Sequence, residues 1–452
     1  MKRWLFYAII IPIEIFRYFF KEIKMAIYWN TNSTTRIRPE VSRVIQRYID
    51  SNNFNAFQNP SDYTNASRTL FLSVVSQTRA RFLKFINATA DDFAIFTSSG
   101  SESNNNALAV AEQFIGREGT IIISALEHDS INLRCNHLKQ LGYNIEVIQV
   151  DELGRYNYEQ LEKIKCSGRV FISMMLVNNE LGNIYDLKRI ADIARRKWKD
   201  VIIHTDAVQA FGKLPIDVQS LGVDMLSVSG HKIGCPKGIG VLYVKRGIPI
   251  QPLIYGHQEC GYRGGTENVP YIAGLEKALE VTQLQMTDEY ATVVKNYRNN
   301  LQDGILDICK RLNRNAYVNG DVDHRVNNTT SITIKGIDNV RLVSMASDVK
   351  EEGRQERTYF STGSACNSSA CAASSANRDH TKASAVLKAI GHPNYREVIR
   401  LSVGDELYNY GSSGFDYDTS DPKLIFADIK ARVRLNLKSG LAAFESILKK
   451  FN

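Results

Sequence analysis

Lys232 stands in a small polar loop, Ser229-Gly230-His231-Lys232, and an aspartate, Asp206 in His204-Thr205-Asp206-Ala207-Val208-Gln209, stands where an apolar run ends. A primary amine condenses with an aldehyde, and a carboxylate can hold a pyridine nitrogen protonated. Together they are the minimum side-chain equipment for pyridoxal phosphate chemistry, so the other polar positions can be tested against one cofactor.

Thr97-Ser98-Ser99-Gly100-Ser101-Glu102-Ser103 joins an apolar run to a helical pattern. Small residues there leave backbone N–H groups and hydroxyls free to cradle a phosphate at a helix N-terminus, although the same residues also describe an ordinary Ser-capped helix. His128, in Glu127-His128-Asp129, follows the run that ends at Ser124, and a flat imidazole there could stack on a pyridine ring and relay protons. Taken singly, such a histidine is more often structural. Asn179, in Val177-Asn178-Asn179-Glu180, could donate to a ring hydroxyl or simply form a turn. Five strand-to-loop junctions thus offer polar groups at one edge of a sheet, a coincidence that no single motif matches.

The elements that would position them follow from apolar runs. Phe93 to Thr97, Thr120 to Ser124, Ile145 to Val150, Val170 to Val177, Val201 to Thr205, Met225 to Val228 and Gly240 to Val244 read as strands, with helices at Ser103 to Phe114, Ile131 to Leu141 and Leu187 to Trp198 between them. That alternation predicts an α/β fold, a mainly parallel seven-stranded sheet covered by helices, with ligands beyond the carboxyl ends of its strands. After about residue 285 the pattern loosens into longer helices and one weaker strand, Thr330 to Ile334, which predicts a smaller α+β domain. Leu424, Ile425, Ile429, Val433, Leu437, Leu441, Phe444 and Leu448 recur on one face of a closing helix. The expected division is an extension at 1–24, a segment at 25–40 packing with the small domain, a large cofactor-binding domain at 41–285 and a small domain at 286–452. The charged stretch Asp348 to Arg357 and the Gly/Ser/Asp/Tyr-rich stretch Tyr408 to Asp421 read as inserted, solvated loops.

Composition narrows the class further. A chain of 452 residues, 44% hydrophobic and 23% charged, is long enough for a large core and more than one domain. Its formal charge of +8 is spread along the sequence with no basic block, which argues against nucleic acid as a partner. The seven cysteines are odd in number and lack paired metal-ligand spacing, which fits reduced thiols in the cytoplasm. Trp4 to Ile13 is too short an apolar run to span a bilayer, and no small-x-small cleavage site follows it before Met25. A start at Met25 is favoured over a membrane-lying helix, because strand-like Ala26-Ile27-Tyr28-Trp29 follows immediately.

Ser229-Gly230-His231-Lys232-Ile233 with Pro236-Lys237-Gly238-Ile239-Gly240, Val177-Asn178-Asn179-Glu180-Leu181-Gly182, Lys213-Leu214-Pro215-Ile216-Asp217, Arg263-Gly264-Gly265-Thr266-Glu267-Asn268 and Ser361-Thr362-Gly363-Ser364-Ala365-Cys366 form an ordered set. This set, spread from about Ile27 to Val403, resembles the signatures of NifS/IscS-type cysteine desulfurases in the class V aminotransferase group. The resemblance implies a fold-type I pyridoxal phosphate enzyme that removes sulfur from L-cysteine, giving alanine and an enzyme-bound persulfide. It implies that Lys232 binds the cofactor aldehyde, Asp206 pairs with the ring nitrogen, His128 stacks on the ring, and Asn179 and Gln209 contact the ring oxygen. Gly100, Ser101, Ser229 and His231 would hold the phosphate with Thr266 of a second subunit, so a homodimer is expected. Arg400 would clamp the substrate carboxylate and Cys366 would be the sulfur-accepting nucleophile, on a loop rich in Ser, Ala and Asn.

The chain also departs from the pattern. Asn30 replaces a usual aspartate, the Cys366 loop is long and holds Cys371, and Val403-Gly404-Asp405 replaces Leu-Gly-Arg. The sulfur acceptor is therefore not legible, and a selenocysteine lyase or aminotransferase of the same fold, or a catalytically silent binding protein, stay open as alternatives.

Overall fold

The computed structural model describes residues 26–50, 59, 67–166, 168–348, 357–362, 384–404 and 422–451. The strands are β1 (Ala26–Tyr28), β2 (Phe93–Thr97), β3 (Thr120–Ser124), β4 (Asn144–Ile148), β5 (Val170–Ser173), β6 (Val201–Asp206), β7 (Met225–Ser229), β8 (Gly240–Val244), β9 (Ala316–Asn319), β10 (Thr329–Ile334), β11 (Arg357–Tyr359) and β12 (Val398–Ser402). A seven-stranded sheet runs in the order β2-β8-β7-β6-β5-β3-β4. Strand β8 is antiparallel to both neighbours and the other pairs are parallel, as the alternation of apolar runs predicts.

A parallel sheet needs cover on both faces, and β3 shows how the sequence supplies it. Ile121 and Ile123 pack with Ala107, Leu108 and Ala111 of the helix Gly100–Ile115 and with Ile131 and Leu138 of the helix Asp129–Gln140. Ile122, pointing the other way, belongs to the core on the opposite face, which also takes in Ile190 and Ala194 of the helix Leu187–Lys197 and Leu275 and Leu279 of the helix Val269–Gln285. Fully burying each such side chain stabilises by about 1.5–3 kcal/mol. Asp186 starts the Leu187–Lys197 helix by accepting from Arg189 N at 2.9 Å, and Arg195, Arg196 and Lys197 close it against the negative end of the dipole.

The sheet interior is not purely apolar. His204 on β6 is fully buried and bonds Ser173 Oγ of β5 and Ser227 Oγ of β7, both at 2.9 Å. Burial drives its pKa down to about 3, so the ring is neutral and pins three adjacent strands.

A second core gathers around a three-stranded antiparallel sheet, β12-β10-β9. Trp29, just after β1, is fully buried there and donates to Tyr297 Oη at 3.0 Å. The long helices Asp288–Arg311 and Pro422–Lys449 supply Leu301, Ile305, Phe444 and Leu448.

Local expectations are corrected at several points. Strand Thr330 to Ile334 is the middle of a sheet, and its flanking strands β9 and β12 were not read, because neither is a long apolar run. Arg357, expected in a solvated loop, opens β11 and pairs in parallel with Ala26; Thr358 and Phe360 beside it are buried, a short alternation hidden behind charges. The fifth strand ends at Ser173 and not Val177, since Val177 turns back to bridge Ile184. The first covering helix begins at Gly100, so Ser101 to Ser103 are already helical. Among the described residues no helix is long and apolar enough to cross a membrane. Residues 1–24, most of the charged stretch before Arg357, the stretch 408–421, Cys366 and Cys371 lie outside the described residues.

Candidate active site

A cavity of about 390 Å³ opens at the carboxyl ends of β2, β6 and β7, within the size range of small-molecule sites. Gly100, Ser101, His128, Asn179, Asp206, Gln209, Ser229, His231, Lys232 and Arg400 line it, from segments up to 300 positions apart in the chain. Thr266 is the one described residue of the expected set that does not. It lies on a neighbouring cavity of about 240 Å³ with Ser98, Gly238 and Arg263.

Asp206 ends β6 and is 7% exposed. Its Oδ2 accepts from Asn104 Nδ2 at 2.7 Å and its Oδ1 from Val208 N at 2.9 Å, so the carboxylate is held in one orientation. Asn104 Nδ2 also donates to Ser130 Oγ at 2.9 Å, and Ser130 N in turn donates to His128 Nδ1 at 3.1 Å. His128, which caps the helix Asp129–Gln140, therefore accepts at Nδ1 and carries its ring proton on Nε2. Asn104 and Ser130 are site residues that the sequence reading missed. Asn104 sits one turn beyond Gly100 on the same helix face, and that spacing was the available signal.

The helix Gly100–Ile115 begins with Ser99, whose Oγ accepts from Glu102 N at 3.1 Å, while Glu102 reaches back to Ser98 N at 2.7 Å. Glu102 is further paired with Arg263 at 2.9 Å. Gly100 and Ser101 line the cavity at the start of this helix, where first-turn amides have no acceptor within the helix, the arrangement that receives a phosphate. A Cβ on Gly100 would stand 2.7 Å from Val208 Cγ2, so glycine alone lets the backbone lie this close to the Asp206 turn.

Lys232 lies on the short turn Gly230–Lys232 after β7, and its Nζ donates to the carbonyl oxygens of Asn32 at 2.5 Å and Ser33 at 2.7 Å. His231 Nδ1 meets Thr34 Oγ1 at 3.0 Å; burial, then the charges of Lys232 and Lys237, push its pKa down to about 3 and leave the ring neutral. Arg400 on β12 is 1% exposed and donates to Asn179 O at 3.0 Å and to Asn30 Oδ1 at 2.8 Å. Asn30, where the family pattern has an aspartate, thus hydrogen-bonds the guanidinium without neutralising it.

Two buried acids complete the surroundings. Glu127 Oε1 accepts from Ser124 Oγ at 2.5 Å and Met175 N at 2.9 Å, and burial pushes its pKa up to about 8. Glu180 Oε2 accepts from Ser384 Oγ at 2.5 Å, and burial raises its pKa to about 7. Ser384 caps the helix Ala385–Ala389, so the loop carrying Asn179 is tied to the chain that follows the Cys366 segment.

The donor set suits a phosphorylated pyridine aldehyde: a helix start with hydroxyls, an oriented carboxylate, an imidazole and an amine line one cavity. A lysine-bearing turn and a helix N-terminus at the carboxyl ends of a mainly parallel seven-stranded sheet define the fold-type I class of pyridoxal phosphate enzymes. Within that class, the aminotransferase class-V family matches residues 27–404, and the chain belongs to it. It is 35% identical over 384 residues to a cysteine desulfurase of Sinorhizobium fredii, covering 83% of this chain and 91% of that one. It is also 35% identical over 387 residues to the cysteine desulfurase IscS of Methanosarcina thermophila, covering 84% and 87%. Among solved structures, a NifS-like protein from Rickettsia africae superposes with a TM-score of 0.74 at 27% identity, over 94% of this chain and 100% of that one.

Proposed function

We propose that this protein is a pyridoxal-phosphate-dependent cysteine desulfurase that releases alanine from L-cysteine and keeps the sulfur on Cys366 for transfer to an acceptor. The observation that carries the reading is the single cavity in which Lys232, Asp206, His128 and Arg400 meet. When bound, the cofactor supplies an electron sink that lets the substrate Cα proton leave and weakens its Cβ–Sγ bond.

The chain's own residues do the rest. Lys232 holds the cofactor aldehyde, and after its release the amine, still beside the Asn32 and Ser33 carbonyls, can accept the Cα proton. Asp206, fixed by Asn104 and Val208, keeps the ring nitrogen protonated. His128 would cover the ring face. Asn179 and Gln209 would hold the ring oxygen, and Gly100, Ser101, Ser229 and His231, which line the same cavity, would hold the phosphate. The planar fork of Arg400 takes the substrate carboxylate in two hydrogen bonds. Cys366, as thiolate, takes the substrate sulfur. Thr266 lies off this chain's own cavity, which supports a homodimer in which each subunit's Thr266 completes the other's phosphate site. A large domain at 41–285 and a small one at 286–452, with 25–40 joining the latter, are supported by the second core, which draws on Ile27, Trp29 and residues from Val293 onward, while Val326, Val386, Leu387, Ile390 and Val398 cross the boundary to pack in the first. Free Cys135, Cys166, Cys235, Cys260 and Cys309 fit a reducing cytoplasm.

An anaerobic assay with L-cysteine tests the reading. The wild type releases alanine and shows a yellow cofactor absorbance, while Cys366→Ala keeps the absorbance and loses sulfur release. Turnover that survives Cys366→Ala would transfer the assignment to a lyase or aminotransferase of this fold.

A further inference from the structure

The motif Lys213-Leu214-Pro215-Ile216-Asp217 has no task in the reading above, yet it places a lysine directly behind the cofactor cavity. Lys213 is half-buried and, with Lys232, lines a second cavity of about 160 Å³ on the far side of the site wall. Its amine tip points inward. Nζ donates to Gln209 Oε1 at 2.6 Å and to Asn32 Oδ1 at 2.8 Å, and no carboxylate among the described residues pairs with it. Gly212 makes the approach possible, since with φ +75° a Cβ there would press on Ile233 Cγ2.

Asn32 is where these bonds converge. Its backbone oxygen receives Lys232 Nζ at 2.5 Å and Gln209 Nε2 at 2.9 Å. Its side chain donates to Asn179 O at 3.2 Å and Thr329 Oγ1 at 2.9 Å, and its own N–H donates to Ser402 Oγ at 2.9 Å. One residue therefore touches the segments that carry Lys232, Gln209, Asn179 and, through β12, Arg400.

We propose that Lys213 is a positioning residue for the reaction, a buried amine that locks the Gln209 side chain and the Asn32 peptide so that the carbonyl of Asn32 holds Lys232 Nζ at a fixed point. Burial, then the charges on Lys232 and Arg400, push Lys213 well below the usual lysine range. Its two hydrogen bonds, to Gln209 Oε1 and Asn32 Oδ1, go to neutral amide oxygens. Removing it leaves Gln209 Oε1 without its donor, whereas Asn32 Oδ1 keeps Asn328 Nδ2 at 3.2 Å. The amide of Gln209 is then free to turn and to release the Asn32 carbonyl.

This role rests on Lys232 being the cofactor lysine, so the test separates the two. Lys213→Met and Lys213→Gln remove an amine that pairs with no carboxylate among the described residues, so neither strands a described buried counter-charge. Borohydride reduction of the wild type followed by peptide mapping must label Lys232; a label elsewhere sinks the cofactor reading and this role with it. With that label in place, both variants are expected to lose at least tenfold in kcat for L-cysteine while KM changes less than threefold, because Arg400 is untouched. In the cofactor-free chain, amine-reagent labelling of Lys232 is expected to speed up at least threefold, as Nζ loses a fixed acceptor. Labelling at the wild-type rate, or kcat within twofold of wild type in both variants, would overturn the proposal. If only one variant folds, the same two measurements on it decide.

Discussion

At the scale of single residues, burial decides protonation. Glu127 has a folded pKa of about 8 against an ordinary 4.5. Below pH 4.5 it is protonated in both states; between 4.5 and 8 the unfolded chain gives up a proton that the folded chain keeps, so stability falls as pH rises. Glu127→Gln still accepts from Ser124 and Met175 but cannot ionise. Urea denaturation of the cofactor-free protein should therefore show the variant losing less stability than wild type between pH 5 and pH 8, by on the order of a few kcal/mol. Arg400 gives a kinetic prediction. Arg400→Lys replaces a planar fork with a point charge, and steady-state assays should find KM for L-cysteine raised about tenfold, roughly 1.4 kcal/mol, with a smaller change in kcat. Lys232 and Asp206 were legible from the residues themselves, an amine in a small polar loop and a carboxylate where an apolar run ends, whereas Arg400 was reached only through the family resemblance. Asn32, Asn104 and Ser130 were not, since an amide or hydroxyl in a loop looks like any turn residue until its partners, often far away in sequence, are known.

At the scale of elements, strand β6 carries both the site aspartate and the histidine that pins its neighbours. His204→Leu would strand the buried hydroxyls of Ser173 and Ser227, costing about 1–3 kcal/mol for each group left unpaired. The measurable result is a lower denaturation midpoint, and also weaker cofactor binding, because Asp206 ends the strand that loosens. The closing helix offers a packing test. A Cβ on Gly440 would overlap the Trp29 ring, so Gly440→Ala should lower thermal stability by about 1–3 kcal/mol while leaving the Lys232 cavity unchanged. The seven central strands were readable as apolar runs because a sheet buried on both faces tolerates little else. Strands β9, β11 and β12 escaped notice for the opposite reason: Asn319, Arg357 and Arg400 interrupt them, and only the pairing with β10 or β1 makes them strands.

At the scale of the whole molecule, the site joins two cores. Arg400, on β12 of the three-stranded sheet, and Asn179, in the turn beyond β5 of the seven-stranded sheet, meet at 3.0 Å, so a shift of β12 against that turn is expected to change the grip on a substrate carboxylate. Thr266 carries the prediction that belongs here. Sedimentation should find a dimer, and Thr266→Ala should leave it a dimer while weakening cofactor affinity several-fold, as expected for a hydroxyl lost from the partner's phosphate site.

The sequence by itself determined that a lysine loop, an aspartate-ended strand and a Ser/Gly helix start lie at one edge of a parallel sheet, because strand direction and alternation are local properties of apolar spacing. Tertiary structure alone decided which junctions share a cavity. It also decided that Asn32 would be the point where Lys232, Gln209 and Lys213 are tied together. Those bonds span 177 to 200 positions of chain. No local pattern encodes such a bond; it forms only where packing brings a turn from one part of the chain against a loop from another.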